Sequence, residues 1–232
     1  MGQLDGAPSL VIFDCDGVLI DSEVIFCAVD AEALTGLGHP TGPRDIARRF
    51  AGIPHRVAWD TISAEIGFAQ PDRWIDDILA ECERRMEQEL QPIAGAAQLL
   101  ADLSRVGIAC CVASSTGLAG LRRNLARCNL LAMLDPNVFS VTQVRRPKPA
   151  PDVFLHAAAQ MGADPSACLV VEDSVAGVTA ARRAGIEALG FLGGGHVYDG
   201  LGARLHEAGA TGLANDMAGV STALGIGPGA GH

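Results

Sequence analysis

Asp14 and Asp16, separated by Cys15 and followed by Gly17, close the short apolar run Ser9-Leu10-Val11-Ile12-Phe13. A run so short and so uniformly apolar predicts a strand covered on both faces, and open α/β sheets bind ligands just beyond the carboxyl ends of such strands. Carboxylates placed there are costly to desolvate alone, so a cation, or a phosphoryl group with its metal, is their natural companion. A second reading fits the same residues: Asp16-Gly17 as a turn that does no more than cap the strand.

Three later segments repeat the pattern of an apolar strand with a polar end. Ile108–Ala113 is followed by Ser114-Ser115-Thr116 and Gly117, hydroxyls suited either to phosphoryl oxygens at a helix N-terminus or to ordinary helix capping. In Arg145-Arg146-Pro147-Lys148-Pro149-Ala150-Pro151-Asp152 the prolines stiffen the backbone around Lys148, and Pro151 can begin a helix. Such a lysine is placed to neutralise charge, although a solvated basic loop has the same composition. Cys168–Val171 leads into Glu172-Asp173-Ser174, a second acidic pair at a strand tip that equally suits the positive end of the next helix.

Taken in order, DCDGVLIDSE, VASST, RRPKPAPDVF and VVEDSVAGV resemble the four motifs of the haloacid dehalogenase superfamily, in its Mg-dependent phosphatase and phosphomutase branch. The resemblance spans about residues 9 to 195. It implies Asp14 as the nucleophile that becomes an aspartyl phosphate, and Asp16 as general acid toward the leaving alcohol and then base toward water. It implies Mg2+ held by Asp14, the Asp16 backbone carbonyl and Asp173, with Glu172 close by. Ser114, with Ser115 beside it, and Lys148 would hold the phosphoryl oxygens.

Dehalogenases of the superfamily lack the second carboxyl. Asp16 therefore argues for phosphoryl transfer, because an alkoxide leaving group needs a proton and a halide does not. The mutase pattern carries a histidine twelve positions after the nucleophile, where this chain has Phe26, which weakens the alternative of a beta-phosphoglucomutase-type enzyme. A catalytically silent binding protein is a third reading, opposed by the presence of every motif residue. The expected activity is phosphatase action on a small phosphorylated metabolite: a sugar, sugar-acid or polyol phosphate.

The elements that must position these residues alternate as a doubly wound parallel α/β sheet requires. After the first strand, helices are predicted over Glu23–Thr35, Pro43–Phe50, His55–Ile66 and Pro71–Leu90, broken by Gly36-Leu37-Gly38, Gly52-Ile53-Pro54 and Ala69-Gln70-Pro71. In the resembled family an insert at this place is a mobile cap that closes over substrate. The expected division is a core of residues 1–20 and 91–232 and a helical cap of residues 21–90, hinged near 18–22 and 88–93. Within the cap, Ala51-Gly52-Ile53-Pro54-His55-Arg56 resembles the family's specificity loop, where His55 and Arg56 offer donors to a polyhydroxylated or anionic substrate. The alternatives are a surface role for Arg56 and helix capping for His55.

The core is expected to continue as helix Ala96–Val106, strand Ile108–Ala113, helix Leu118–Cys128 and strand Val138–Thr142. Helix Asp152–Met161, strand Cys168–Val171, helix Val175–Ala184 and strand Glu187–Phe191 follow. Gly193-Gly194-Gly195-His196 reads as a loop without dinucleotide-binding spacing, and His196 is left unassigned. A helix near Leu201–Ala208 precedes a frayed tail at Gly225–His232.

The formal charge of −10 disfavours nucleic acid and anionic membranes as partners, so attraction for a phosphorylated metabolite must be local, from the metal, Lys148, Arg145, Arg146 and Arg56. Aromatic residues, 4% of the chain, are too few for the stacking platforms of single-strand binders. Neither a long apolar span nor a signal-peptide layout at Met1–Pro8 is present, which makes the cytoplasm the expected location. The seven cysteines lack zinc spacing and read as buried small residues, with Cys15 facing away from the two aspartates. No heptad or internal repeat bears on assembly; the oligomeric state is open, and a monomer is compatible with the pattern.

Overall fold

Leu10–Phe13 forms β1 with every side chain buried, as its unbroken apolar run predicts. The computed structural model describes residues 7–226, so most of the tail expected at Gly225–His232 lies outside the described residues. Between β1 and the next strand stand α1 (Ser22–Gly36), α2 (Pro43–Phe50), α3 (His55–Ile66), α4 (Trp74–Glu89) and α5 (Ala96–Val106). Then come β2 (Ala109–Ser114), α6 (Leu118–Arg127), the short α7 (Leu131–Leu134), β3 (Val138–Ser140) and α8 (Asp152–Gln160). The described chain closes with β4 (Cys168–Glu172), α9 (Val175–Arg183), β5 (Glu187–Phe191), α10 (Leu201–Ala208), β6 (Gly212–Ala214) and α11 (Met217–Ala223).

The six strands are parallel and lie in the order β3-β2-β1-β4-β5-β6. From β1 the chain moves outward to β2 and β3, then crosses to β4 on the other side of β1. That reversal is the switch point at which a doubly wound sheet opens a crevice beyond its carboxyl ends. Phe13 pairs with Val112 on one side and Val171 on the other, so Asp14, Ser114 and Glu172-Asp173 all leave the sheet at one edge. The Asp14 N–H extends the ladder by donating to the Val171 carbonyl at 2.9 Å.

Two boundaries depart from expectation for local reasons. The strand expected over Val138–Thr142 stops at Ser140, because Ser140 and Gln143 form a capping box that turns the chain. There Gln143 Oε1 accepts from the Ser140 N–H at 2.8 Å, and Ser140 Oγ accepts from the Thr142 N–H at 3.2 Å. The helix expected from Pro71 begins at Trp74, whose N–H donates to the Pro71 carbonyl at 2.9 Å and closes a turn first.

The segment carrying α1 to α4 leaves and rejoins the sheet at a single place. Ile20 bridges to Pro92, the Asp21 N–H donates to the Gln91 carbonyl at 2.9 Å, and the Ile93 N–H donates to the Leu19 carbonyl at 2.9 Å. Within the segment, Trp59 is fully buried and satisfies its indole N–H on buried Asp30 at 2.8 Å. All seven cysteines are free thiols, and all but Cys110 are buried. Among the described residues no helix is long and apolar enough to cross a membrane.

Candidate active site

The carboxyl edge at the switch point gathers two acidic centres that face different partners. In the first, Lys148 Nζ donates to Asp14 Oδ1 at 2.8 Å and to Glu172 Oε1 at 2.7 Å. Lys148 is the chain's one lysine against sixteen arginines. Its ammonium also lies 4.7 Å from the Phe154 ring centre, so the first turns of α8 seat it from behind. Glu172 is fully buried, and its second oxygen accepts from the Ser174 N–H and hydroxyl, both at 2.9 Å. Asp173 turns instead to His196, whose Nε2 lies 3.0 Å from Asp173 Oδ2.

Asp14, Glu172 and Asp173 bring oxygens within 4.8 Å of one another, all buried. Burial pushes the Asp14 carboxyl well above the usual carboxylate range; Lys148 pulls it back, while Glu172, Asp173 and Asp16 push it further up. Burial works against the Lys148 charge, yet Asp14 and Glu172 outweigh it and raise the lysine above its ordinary value. Burial would likewise lower His196, but the hydrogen bond and charge of Asp173 lift it to about 9. One lysine and one histidine do not neutralise this many desolvated carboxylates, and the remaining deficit suits a cation. The cluster offers only hard oxygen donors, which fits Mg2+ and not a softer transition metal.

The second centre is Asp16. Ser22 Oγ donates to Asp16 Oδ1 at 2.6 Å, while Thr116 Oγ1 and Ser114 Oγ donate to Oδ2 at 2.7 and 3.2 Å. The Asp16 carboxylate is therefore apart from the acidic cluster, held by hydroxyls on three sides. Ser114 accepts from the Thr116 N–H at 2.9 Å and is fully buried, so its hydroxyl serves Asp16 and does not line the cavity. Ser115 and Thr116 do line it.

Both centres open on one cavity of about 590 Å³, with Asp14, Asp16, Lys148 and Asp173 on one side and Glu23, Phe26, His55 and Arg56 from the inserted helices on the other. His55 packs edge-on against Phe26 at 5.0 Å, and its Nε2 lies 3.6 Å from Asp30 Oδ2. Arg56 is exposed at the rim. Arg146, expected to draw in an anion, is engaged by Asp152 at 2.8 Å, and neither it nor Arg145 reaches the cavity. Ser22, Glu23 and His196 are site residues to which motif reading gave no role, and Thr116, read there only as one of three strand-end hydroxyls, is bound to Asp16.

This arrangement places the chain in a known class. The family model for haloacid dehalogenase-like hydrolases matches residues 11–191, and the chain belongs to that family. It is 32% identical over 187 residues to the 6-phosphogluconate phosphatase of Escherichia coli (strain K12), an alignment covering 80% of this chain and 83% of that protein. It is 30% identical over 185 residues to the phosphorylated carbohydrates phosphatase of Thermotoga maritima, with 76% and 82% covered. A solved haloacid dehalogenase-like protein of unknown function from Agrobacterium tumefaciens superposes with a TM-score of 0.87 at 33% identity, over 94% of this chain and 97% of the other.

Proposed function

We propose that this chain is a Mg2+-dependent phosphatase that hydrolyses a small phosphorylated carbohydrate through a covalent intermediate on Asp14. The observation that carries the proposal is the separation of duties between two aspartates on one cavity. Asp14 sits against Lys148 in the acidic cluster, whereas Asp16 is held apart by the hydroxyls of Ser22, Ser114 and Thr116. A nucleophile needs its charge kept and an anionic substrate brought close; a proton donor needs a fixed carboxyl on the leaving-group side.

In this reading an Asp14 oxygen attacks phosphorus as the bond to the sugar oxygen breaks, and Asp16 delivers its proton to that oxygen. Asp16 then takes a proton from the water that cleaves the Asp14 acyl phosphate, which releases inorganic phosphate, frees the Asp14 carboxylate and returns Asp16 to its protonated form. Asp14, the Asp16 backbone carbonyl and Asp173 would hold the metal, with Glu172 beside them; when bound it supplies positive charge to the phosphoryl oxygens. Lys148 adds charge from the protein side, and Ser115 and Thr116, which line the cavity, would hold phosphoryl oxygens.

Residues 21–90 form the proposed cap over a core of residues 1–20 and 91–232, with the paired connections at Ile20–Pro92 as its hinge. Closure of the cap would bring Phe26, His55 and Arg56 onto the sugar and exclude bulk water. The names of the two phosphatase relatives support a sugar or sugar-acid phosphate. The mutase alternative is disfavoured by Phe26, an apolar ring at the position where that chemistry has histidine.

The test is inorganic phosphate release from sugar, sugar-acid, polyol and glycolate phosphates, with Mg2+ or with chelator, for wild type and Asp14→Asn. Mg2+-dependent release lost in Asp14→Asn is expected. Hexose phosphate isomerisation primed by a bisphosphate, without phosphate release, would replace the phosphatase by the mutase.

A further inference from the structure

The loop Gly193–His196 has no part in the chemistry described above, yet it is built into the acidic cluster. Lys148 pairs with Asp14 and Glu172, so the cationic partner of Asp173 is His196, whose side chain is 1% exposed and whose Nε2 lies 3.0 Å from Oδ2. Two glycines make room for this contact. A Cβ at Gly17 would stand 1.9 Å from Asp173 Oδ2 and 2.8 Å from His196 Cε1. A Cβ at Gly194 would stand 2.7 Å from His196 Nδ1 and 2.9 Å from the Gly17 carbonyl. The glycine that follows Asp16 therefore lies directly over the Asp173–His196 pair. The loop is also tied to the start of α1, because the Gly195 N–H donates to Asp21 Oδ1 at 3.0 Å.

We propose that His196 is a positioning residue for the metal: it clamps one oxygen of Asp173 so that the carboxylate is presented in a single orientation to the cation. The proposal rests on the metal site of the preceding section. An aspartate carboxylate turns about two side-chain bonds and samples several orientations, and each ligand that must be ordered on binding weakens the affinity. Partners that fix a ligating side chain in advance remove that loss, and their removal characteristically costs about 10–100-fold in metal affinity or activity. A histidine placed here only to fill space would have no reason to direct a ring nitrogen at Asp173 through the gap left by two glycines.

The experiment is calorimetric titration of the full chain with Mg2+, for wild type, His196→Ala and His196→Gln, beside steady-state kinetics at saturating Mg2+. The Mg2+ dissociation constant is expected to rise about 10–100-fold in His196→Ala, with much of the loss recovered in His196→Gln, which keeps a donor of similar reach. Substrate KM at saturating Mg2+ should stay near wild type, a split that general unfolding would not produce. A folded His196→Ala protein that binds Mg2+ as wild type does would overturn the proposal. If His196→Ala does not fold, Gly194→Ala replaces it: the added methyl displaces the ring, and unchanged Mg2+ affinity there would again overturn it. Wild type that takes up no Mg2+ at all would instead remove the metal site of the proposed function, and this role with it.

Discussion

Lys148 Nζ stands 2.8 Å from Asp14 Oδ1, which joins the tip of β1 to the proline-stiffened loop before α8. Since the chain has no other lysine, this contact can be observed in isolation. Protein labelled with 15N-lysine should give one side-chain ammonium signal, and the two carboxylates should keep it protonated beyond the pH at which an ordinary lysine titrates. Lys148→Ala is expected to lower kcat/KM by about 10²–10³. Lys148→Arg should not restore it, because a planar fork cannot take the place of one compact charge shared between Asp14 and Glu172. Activity of Lys148→Ala within tenfold of wild type would remove the lysine from the reaction.

Asp16 is gripped by Thr116 at 2.7 Å and by Ser22 at 2.6 Å, the geometry of a carboxyl kept on one line of proton transfer. Its contribution should depend on how much the leaving group needs a proton. Asp16→Asn is expected to slow release from a sugar phosphate by about 10²–10⁴, and release from p-nitrophenyl phosphate far less, since that phenolate leaves without help. Thr116→Val should cost about tenfold on the sugar phosphate, in line with the loss of one hydrogen bond to a charged group. Equal losses on both substrates would place the contribution of Asp16 in hydrolysis of the Asp14 phosphate, the step the two substrates share, and not on the leaving group.

Apolar runs made β1, β2, β4 and β5 legible to within a residue, because strands buried on both faces need no polar alternation to declare themselves. β6 escaped since Gly212-Leu213-Ala214 is too short to show a period. At the site, the types of the acids could be read but their directions could not. Alternate residues share a face only while the strand continues, and β1 ends at Phe13; beyond it the chain turns at Gly17 with φ at 77°, so Asp14 and Asp16 part company. Ser114 was legible as a hydroxyl at a strand end, whereas its engagement by Asp16 depends on how two distant loops meet. His196 stood out after three glycines, but nothing local relates it to Asp173.

Glu23 lies in the first turn of α1 and faces the same cavity. Burial pushes its carboxyl up to about 8, with His196 opposing the shift and Asp173, Asp16 and Asp30 adding to it. The folded protein thus holds a proton there that the unfolded chain gives up near 4.5. Between those two values the native state binds the extra proton, so this group makes stability fall as pH rises through the window. Glu23→Gln cannot ionise; it should flatten the slope and gain on the order of 1 kcal/mol at pH 8, well under the full conversion because water in the cavity screens the charge. Urea melts at about pH 5 and 8 in chelator would check this. A variant that keeps the wild-type slope would assign the dependence to another group.

Gly177 sits in the first turn of α9 where a Cβ would stand 1.6 Å from Glu172 Oε1 and 1.9 Å from its carboxyl carbon. The Gly177 N–H donates to Ser174 Oγ at 3.0 Å, and Ser174 in turn donates to Glu172, so α9 begins in contact with the carboxylate that anchors Lys148. Within a helix, alanine is normally favoured over glycine by roughly 0.5–1 kcal/mol. At position 177 the clash should reverse that sign and cost on the order of 1–3 kcal/mol, since Glu172 is fully buried and has no room to withdraw. Gly120 in α6 supplies the contrast: a Cβ there meets nothing closer than 3.6 Å, so Gly120→Ala should raise the melting temperature while Gly177→Ala lowers it. Activity should separate the two variants as well, because a displaced Glu172 loosens Lys148 and with it the charge held against Asp14. Gly177→Ala that melts at or above wild type, with full activity, would show that the start of α9 can move away from Glu172 and that this close approach is not needed to hold the lysine.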